Sequence, residues 1–225
     1  MILAGTSRPK CYLYCTRLTR RRATFCGKLS IVYEMRGLDA VLAPLTNRGK
    51  IISEKEVFQG RIFSVSQRQI HTPDGLTVER DVVTHIPAVV VLALTPDRQQ
   101  ALLNVEYRAG INAESYSLPA GLLDPGETAL EAAVREVKEE TGYVLTQPQA
   151  MTQVSTSEGF SSETNTLAWG IVDPNDRGHQ HFDRDEFVNS KLVPFTDIVA
   201  AVKDGTIHAG QAVAAVTYYL SFLQK

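Results

Sequence analysis

Residues Gly121 to Tyr143 read GLLDPGETALEAAVREVKEETGY, and the rest of the chain is organised around them. Asp124, Pro125 and Gly126 are turn residues, each disposed for its own reason to bend the chain. Thr128 follows as a natural N-cap, and Glu131 stands three positions on to complete a capping box. Gly142 is a natural C-terminal stop, because glycine accepts the left-handed conformation without steric cost. The spacing predicts a helix over about residues 129–141, with Leu130, Val134 and Val137 as its core-facing stripe.

A helix turns by about 100° per residue, so Glu136 and Glu140 are expected about 40° apart on one flank of that stripe. Glu139 points further toward solvent on the Glu136 side. Like charges four residues apart destabilise an isolated helix by roughly 0.2–0.5 kcal/mol. A hard divalent cation with oxygen ligands would offset that repulsion. An acidic face left in water would simply carry it. Helix spacing alone leaves both readings open.

The whole pattern is more specific. Gly121, Glu127, Arg135, Glu136, Glu139, Glu140 and Gly142 stand at the spacing of the Nudix box, with every polar and glycine position filled. Tyr143 departs from it, where the family has an aliphatic residue, but that position packs rather than reacts. The stretch resembles the Nudix hydrolases, which cleave a nucleoside diphosphate linked to another group. The resemblance implies an α/β fold, the Nudix-type α/β/α sandwich, here with an N-terminal antiparallel β extension. It implies Mg2+ or Mn2+ held by Glu136, Glu140 and the Ala120 carbonyl, with Glu139 beside them. It also pairs Arg135 with Glu127 as a brace between loop and helix.

At 225 residues with 44% hydrophobic residues, the chain can bury one sizeable core. No apolar run is long enough to span a membrane. A net charge of −2 gives the whole chain no electrostatic drive toward nucleic acid. That charge is unevenly placed, because residues 1–33 hold seven Arg or Lys and no Asp or Glu. All three cysteines, Cys11, Cys15 and Cys26, lie there too, without a nearby histidine or a standard zinc spacing. The remainder has no disulfide framework and suits a reducing compartment, so a cytoplasmic location is expected. Residues 1–48 read as a basic segment outside the main domain: an organelle leader, a disordered arm, or an over-extended start with Met35 as initiator. If residues 1–34 are a transit peptide, organelle import follows. The main domain is expected over residues 49–225.

Within it, residues 61–70 and 76–84 read as a hairpin about the Pro73-Asp74-Gly75 turn. Ala88 to Leu94 (AVVVLAL) is a continuous apolar run, as in a strand buried on both faces. Strands are expected over 101–107 and 115–118, then over 151–156, 164–172 and 187–193 after the helix. Helices are expected over 196–203 and 210–223. Residues 173–185 are polar and read as a mobile loop. His179 and His181 within it are expected to be solvated rather than a metal pair.

The flanks narrow the resemblance. Arg80 in VERDVVTH, Arg108 in VEYRAG, Leu118-Pro119-Ala120-Gly121 and the loop Ser157 to Glu163 resemble ADP-ribose pyrophosphatases and related nucleoside diphosphate sugar hydrolases. The likeness covers about residues 51–223 and implies a small-molecule nucleotide substrate. It also implies a homodimer that exchanges its N-terminal strands, within 49–84. Two departures matter. Family members commonly carry Ser-Pro-Gly where this chain has Ser157-Glu158-Gly159. The sole tryptophan, Trp169, lies beyond the box, so Phe58 or Phe63, both expected in the core, would have to stack on a base. Arg80 and Arg108, with Arg61 as a third candidate, are expected to contact the pyrophosphate, since guanidinium forks suit phosphate oxygens.

Phosphoanhydride hydrolysis needs charge neutralisation and an activated water, and a bound divalent metal supplies both. In ADP-ribose pyrophosphatases the base comes from the loop well after the box, where Asp183, Asp185 and Glu186 stand here. Glu186 is favoured because it directly precedes a strand, and Glu163 is the alternative base or a ribose or phosphate contact. Three functions follow: an ADP-ribose or sugar-nucleotide pyrophosphatase, a Nudix hydrolase of another nucleotide such as a dinucleoside polyphosphate, or a non-catalytic nucleotide sensor. The complete set of box carboxylates argues against the last.

Overall fold

A computed structural model describes residues 48–181 and 187–224, which fall within one compact unit. The leader, arm and Met35 readings, the cysteines, and Asp183, Asp185 and Glu186 lie outside the described residues.

Three strands come first: β1 (Lys50–Gln59), β2 (Phe63–His71) and β3 (Thr77–His85), paired antiparallel in chain order. The larger, mixed sheet comprises β4 (Ala88–Leu94), β5 (Gln100–Arg108), β6 (Ala113–Ser117), β7 (Ala120–Leu122), β8 (Thr146–Ser155), β9 (Thr164–Ile171) and β10 (Val188–Pro194). Its order is β10-β5-β4-β9-β8, with β6 on β5 and β7 on β4. β4 and β9 run parallel along their full length.

Period-2 alternation in β4 builds the core. Val90, Leu92 and Leu94 face one way and pack with residues of α2 (Phe195–Asp204) and α3 (Gly210–Phe222), among them Ile198, Val216 and Tyr219. Val89, Val91 and Ala93 face the other way and meet Ala132, Ala133 and Val137 of α1 (Ala129–Thr141). A strand so enclosed has no polar face, which is why its sequence shows no alternation. Every residue of β4 is buried. The result is the expected α/β/α sandwich. None of the described helices is long and apolar enough to cross a membrane.

The helix α1 has the bounds its caps dictate. The Thr128 hydroxyl accepts from the Glu131 N–H, the Glu131 carboxylate accepts from the Thr128 N–H, and Gly142 takes φ +77°. Its buried arc, however, is rotated from the expected stripe. Leu130 and Val134 are only half-buried, while Ala132, Ala133, Glu136, Val137, Glu140 and Thr141 are buried. The two glutamates therefore lie within the inward face rather than on its flank. Tyr143 packs in the α1-side core, as its position in the motif implies.

One expectation is corrected. Phe58 is not a core residue: it is 52% exposed on β1, a strand exposed at all ten positions. The described part of the 173–185 stretch, residues 173–181, forms no helix or strand, as expected of a loop. It docks on the end of α1, where Gly178 N–H donates to the Gly142 carbonyl (2.8 Å) and His181 N–H to the Glu139 carbonyl (2.9 Å). The Arg177 guanidinium reaches the Thr141 carbonyl (3.1 Å) and lies 5.6 Å from the Tyr143 ring centre. Those carbonyls have no partner inside the helix, so a neighbouring segment that supplies donors gains each bond. The loop 157–163 is pinned likewise, to β3, through Val83 N–H to Phe160 O (2.7 Å) and Ser162 N–H to Val83 O (2.9 Å).

Candidate active site

β7 lies beside β4 and under α1, and this places the backbone of Ala120 and Gly121 against the helix glutamates. A Cβ at Gly121 would fall inside the Glu136 carboxylate. Glycine is needed at this point because the carboxylate occupies the space a side chain would fill.

Arg135 ties the surroundings together. Its Nε and Nη2 donate to the two oxygens of Glu127 (2.9 and 2.8 Å), and Nη2 also donates to the Leu122 carbonyl (2.9 Å). Nη1 reaches Glu136 Oε1 (2.7 Å) and Glu139 Oε2 (3.0 Å). Glu127 in turn accepts from Asp124 N–H (3.0 Å), so the turn and the helix are joined through one ion pair. The guanidinium bonds hold the Glu127 carboxyl below the usual carboxylate range. A two-pronged pair of this kind is among the stronger polar contacts available.

Glu140 is enclosed more deeply. Its Oε2 accepts from the Ala120 N–H (3.1 Å) and from Asn104 Nδ2 (2.9 Å). Its carboxyl is pushed well above the ordinary range, first by burial and then by the charge of Glu136, with Glu106 adding to the effect. Two buried carboxylates side by side disfavour each other's ionisation, and a cation between them would reverse that. The donor set, carboxylate and carbonyl oxygen, is the hard chemistry that Mg2+ and Mn2+ take. The residues therefore fit such an ion. Among the described residues no three acidic, His or Cys groups stand as a ready-made cage.

Ala120, Glu136, Glu139, Glu140, Glu127 and Arg135 are thus brought together. Arg108 joins their margin, paired with Glu106 at 2.6 Å. Arg80 stands elsewhere, donating to the Glu79 carbonyl (2.8 Å) beside a cleft of about 390 Å³ that also borders Arg68, Glu158 and Ser161. Arg61 lies in the bend between β1 and β2. Glu163 accepts from the Thr156 hydroxyl (2.8 Å) within its loop. Glu186 lies outside the described residues. His179 and His181 are exposed.

Sequence reasoning missed Asn104, Glu106 and Ser190. The signal was present in β5: Leu102 packs toward α1, and Asn104, Glu106 and Arg108 follow at every second residue on the same face. A run of polar residues on the inward side of a sandwich strand marks a site rather than a core.

The Glu140 shift has a signed consequence. Its folded-state pKa lies above that of the unfolded chain, so stability falls as pH rises from the ordinary value of 4.5 toward the folded-state value, then levels off. Glu140→Gln keeps an acceptor for both donors and removes the charge. In metal-free buffer at neutral pH the variant should melt at a higher temperature than the parent, with the gap closing as pH drops to the ordinary carboxylate range. Glu127, present in both proteins, cancels from the comparison. Thermal melts in EDTA across pH check this, and a lower melting temperature for the variant at neutral pH would refute it.

Residues 84–215 match the NUDIX domain family. The chain is 30% identical over 169 residues to the methanol dehydrogenase activator of Bacillus methanolicus, an alignment covering 75% of this chain and 91% of that one. It is 31% identical over 168 residues to the ADP-ribose pyrophosphatase of Mycobacterium tuberculosis (strain ATCC 25618 / H37Rv), covering 73% and 80%. Its fold is similar to the crystal structure of an ADP compounds hydrolase, with a TM-score of 0.69 at 21% identity over 78% of this chain and 94% of that one. With the box geometry and the family match in agreement, the chain belongs to the NUDIX domain family and is a Nudix hydrolase.

Proposed function

We propose that the chain hydrolyses the pyrophosphate of ADP-ribose or a related nucleoside diphosphate sugar, releasing a nucleoside monophosphate and a sugar phosphate. The observation that carries this reading is the buried Glu136–Glu140 pair, seated against Gly121 and braced by Arg135 on Glu127. The Mycobacterium relative's activity supports the substrate class. Glu136, Glu140 and the Ala120 carbonyl would hold Mg2+ or Mn2+, with Glu139 adjacent. The ion supplies Lewis acidity and an activated water when bound. Arg108, at the margin of the carboxylates, and Arg80, in the cleft against the 157–163 loop, bind phosphate oxygens; Arg61 is a third contact from the β1–β2 bend. Glu186 takes the proton of the attacking water, and Glu163 holds substrate.

A panel of nucleoside diphosphate sugars, dinucleoside polyphosphates and nucleoside triphosphates tests the reaction. Monophosphate release from ADP-ribose should require added Mg2+ or Mn2+, and Glu136→Gln should remove most of it while leaving the fold intact. Release only from dinucleoside polyphosphates would reassign the substrate, and none from any nucleotide would favour a sensor.

The base is tested separately. Glu186→Gln should lower kcat by ~10²–10⁴ with little change in KM, because general-base loss falls on the transition state. Glu163→Gln should mainly raise KM. The opposite pair of results would move the base to the 157–163 loop.

The assembly proposed is a homodimer through the N-terminal strands. Ile51, Ile52, Val57 and Phe58 are each about half exposed on β1, and β1 is an edge of its three-stranded sheet. Four such side chains on one edge strand favour a cover. Sedimentation should give twice the formula mass, and Phe58→Glu should yield a monomer. A monomeric parent would refute the assembly.

A further inference from the structure

Asn104 is a costly residue at its place. It lies in β5 between Leu103 and Val105 and is 1% exposed. A buried amide destabilises the fold unless its hydrogen bonds are made. Here they are made in one orientation only. Oδ1 accepts from the Ser190 hydroxyl on neighbouring β10, and Nδ2 donates to Glu140 Oε2 at 2.9 Å. The Ser190 hydroxyl also lies 3.3 Å from the Glu140 carbonyl. One serine thus fixes the amide and touches the backbone of the residue that the amide holds.

The second donor to Glu140, the Ala120 N–H, converges on the same oxygen. Both bonds therefore fall on Oε2, which breaks the equivalence of the two carboxylate oxygens and stops the group from turning over. Packing does not require this. Leucine has the branching pattern of asparagine and no polar groups that demand partners. Aspartate would add an acid beside Glu140 and Glu106. Only a side chain that donates toward Glu140 while accepting from Ser190 serves both neighbours.

We infer that Asn104 is a positioning residue for the cation site: held by Ser190, it pins Oε2 of Glu140 and thereby leaves Oε1 for the divalent ion. This rests on the metal reading proposed above. Groups that orient a metal ligand in this manner typically change metal affinity or activity by ~10–100-fold when removed.

The test is direct Mn2+ binding without nucleotide, followed by electron paramagnetic resonance of the free ion. It compares the parent, Glu136→Gln, Asn104→Leu and Ser190→Ala, with circular dichroism and melting in EDTA as folding checks. Asn104→Leu should weaken Mn2+ binding by ~10–100-fold, and Ser190→Ala by a smaller factor. At saturating Mn2+ the KM for nucleotide should stay within about two-fold, while the Mn2+ concentration for half-maximal rate rises with the binding loss. Unchanged Mn2+ affinity in folded Asn104→Leu, with binding lost in Glu136→Gln, overturns the role of Asn104 and leaves the metal reading standing. A parent that binds no Mn2+ overturns both. If Asn104→Leu does not fold, Ser190→Ala decides, and unchanged affinity there overturns the inference.

Discussion

Two like-charged side chains are buried side by side on one turn of α1, and much of the surrounding structure is a response to that. Glu136 and Glu140 are 9% and 5% exposed, where a bare carboxylate would be strongly disfavoured. Each neighbour supplies what a carboxylate needs without filling the space in front of it. Gly121 withdraws its side chain. Arg135 places one guanidinium nitrogen on Glu136 and Glu139, and Ala120 and Asn104 place donors on one oxygen of Glu140. The Nudix spacing is the sequence record of these demands.

The end of α1 adds a further difficulty. Glu139 and Glu140 stand in the last turn, where the helix dipole presents its negative end and acidic residues are unfavourable. The 177–181 segment counters this. It covers the free carbonyls of Glu139, Glu140, Thr141 and Gly142 with donors from His181, Gln180, Arg177 and Gly178. Gly142 serves both needs. Its φ of +77° ends the helix, and a Cβ there would stand 2.5 Å from the Gly178 carbonyl. The turn that carries the glutamates is thus held at its open end by the segment leading to residues 182–186, where the proposed base stands.

Legibility in the sequence followed the range of the interaction. Capping box, turn and glycine stop act within a few residues, so α1 was read to its ends. The apolar run of β4 reports burial on both faces wherever its partners lie, so its bounds were read as well. The rotation of the helix's buried arc was not legible, because glutamate carries no apolar signal and the eye follows Leu130 and Val134 instead. Asn104, Ser190 and Arg177 meet α1 across 36 to 50 residues of chain, and no local pattern announces such pairings. The docking of the 173–181 loop was not legible, because polar composition marks a loop equally well whether its groups face water or a helix end. Phe58 was misread for the opposite reason: hydrophobicity states that a side chain wants cover, not that its own subunit provides it.

Among the described residues, negative charge gathers around the site. Among the described residues, six carboxylates (Glu106, Asp124, Glu127, Glu136, Glu139 and Glu140) gather about the guanidinium groups of Arg108 and Arg135. Arg135 is already committed at Nε and Nη2 to Glu127 and the Leu122 carbonyl, so only Nη1 serves the helix glutamates. Arg108 lies against Glu106, at the edge of the group. Among the described residues Glu140 has donors but no cation in contact, and it is the carboxyl that burial and Glu136 push upward. Another arginine or lysine would relieve the strain permanently and fill the space as well. Where carboxylates gather among the described residues, and Gly121 makes room for that of Glu136, the attraction for an ion that arrives with its water and a phosphate is kept.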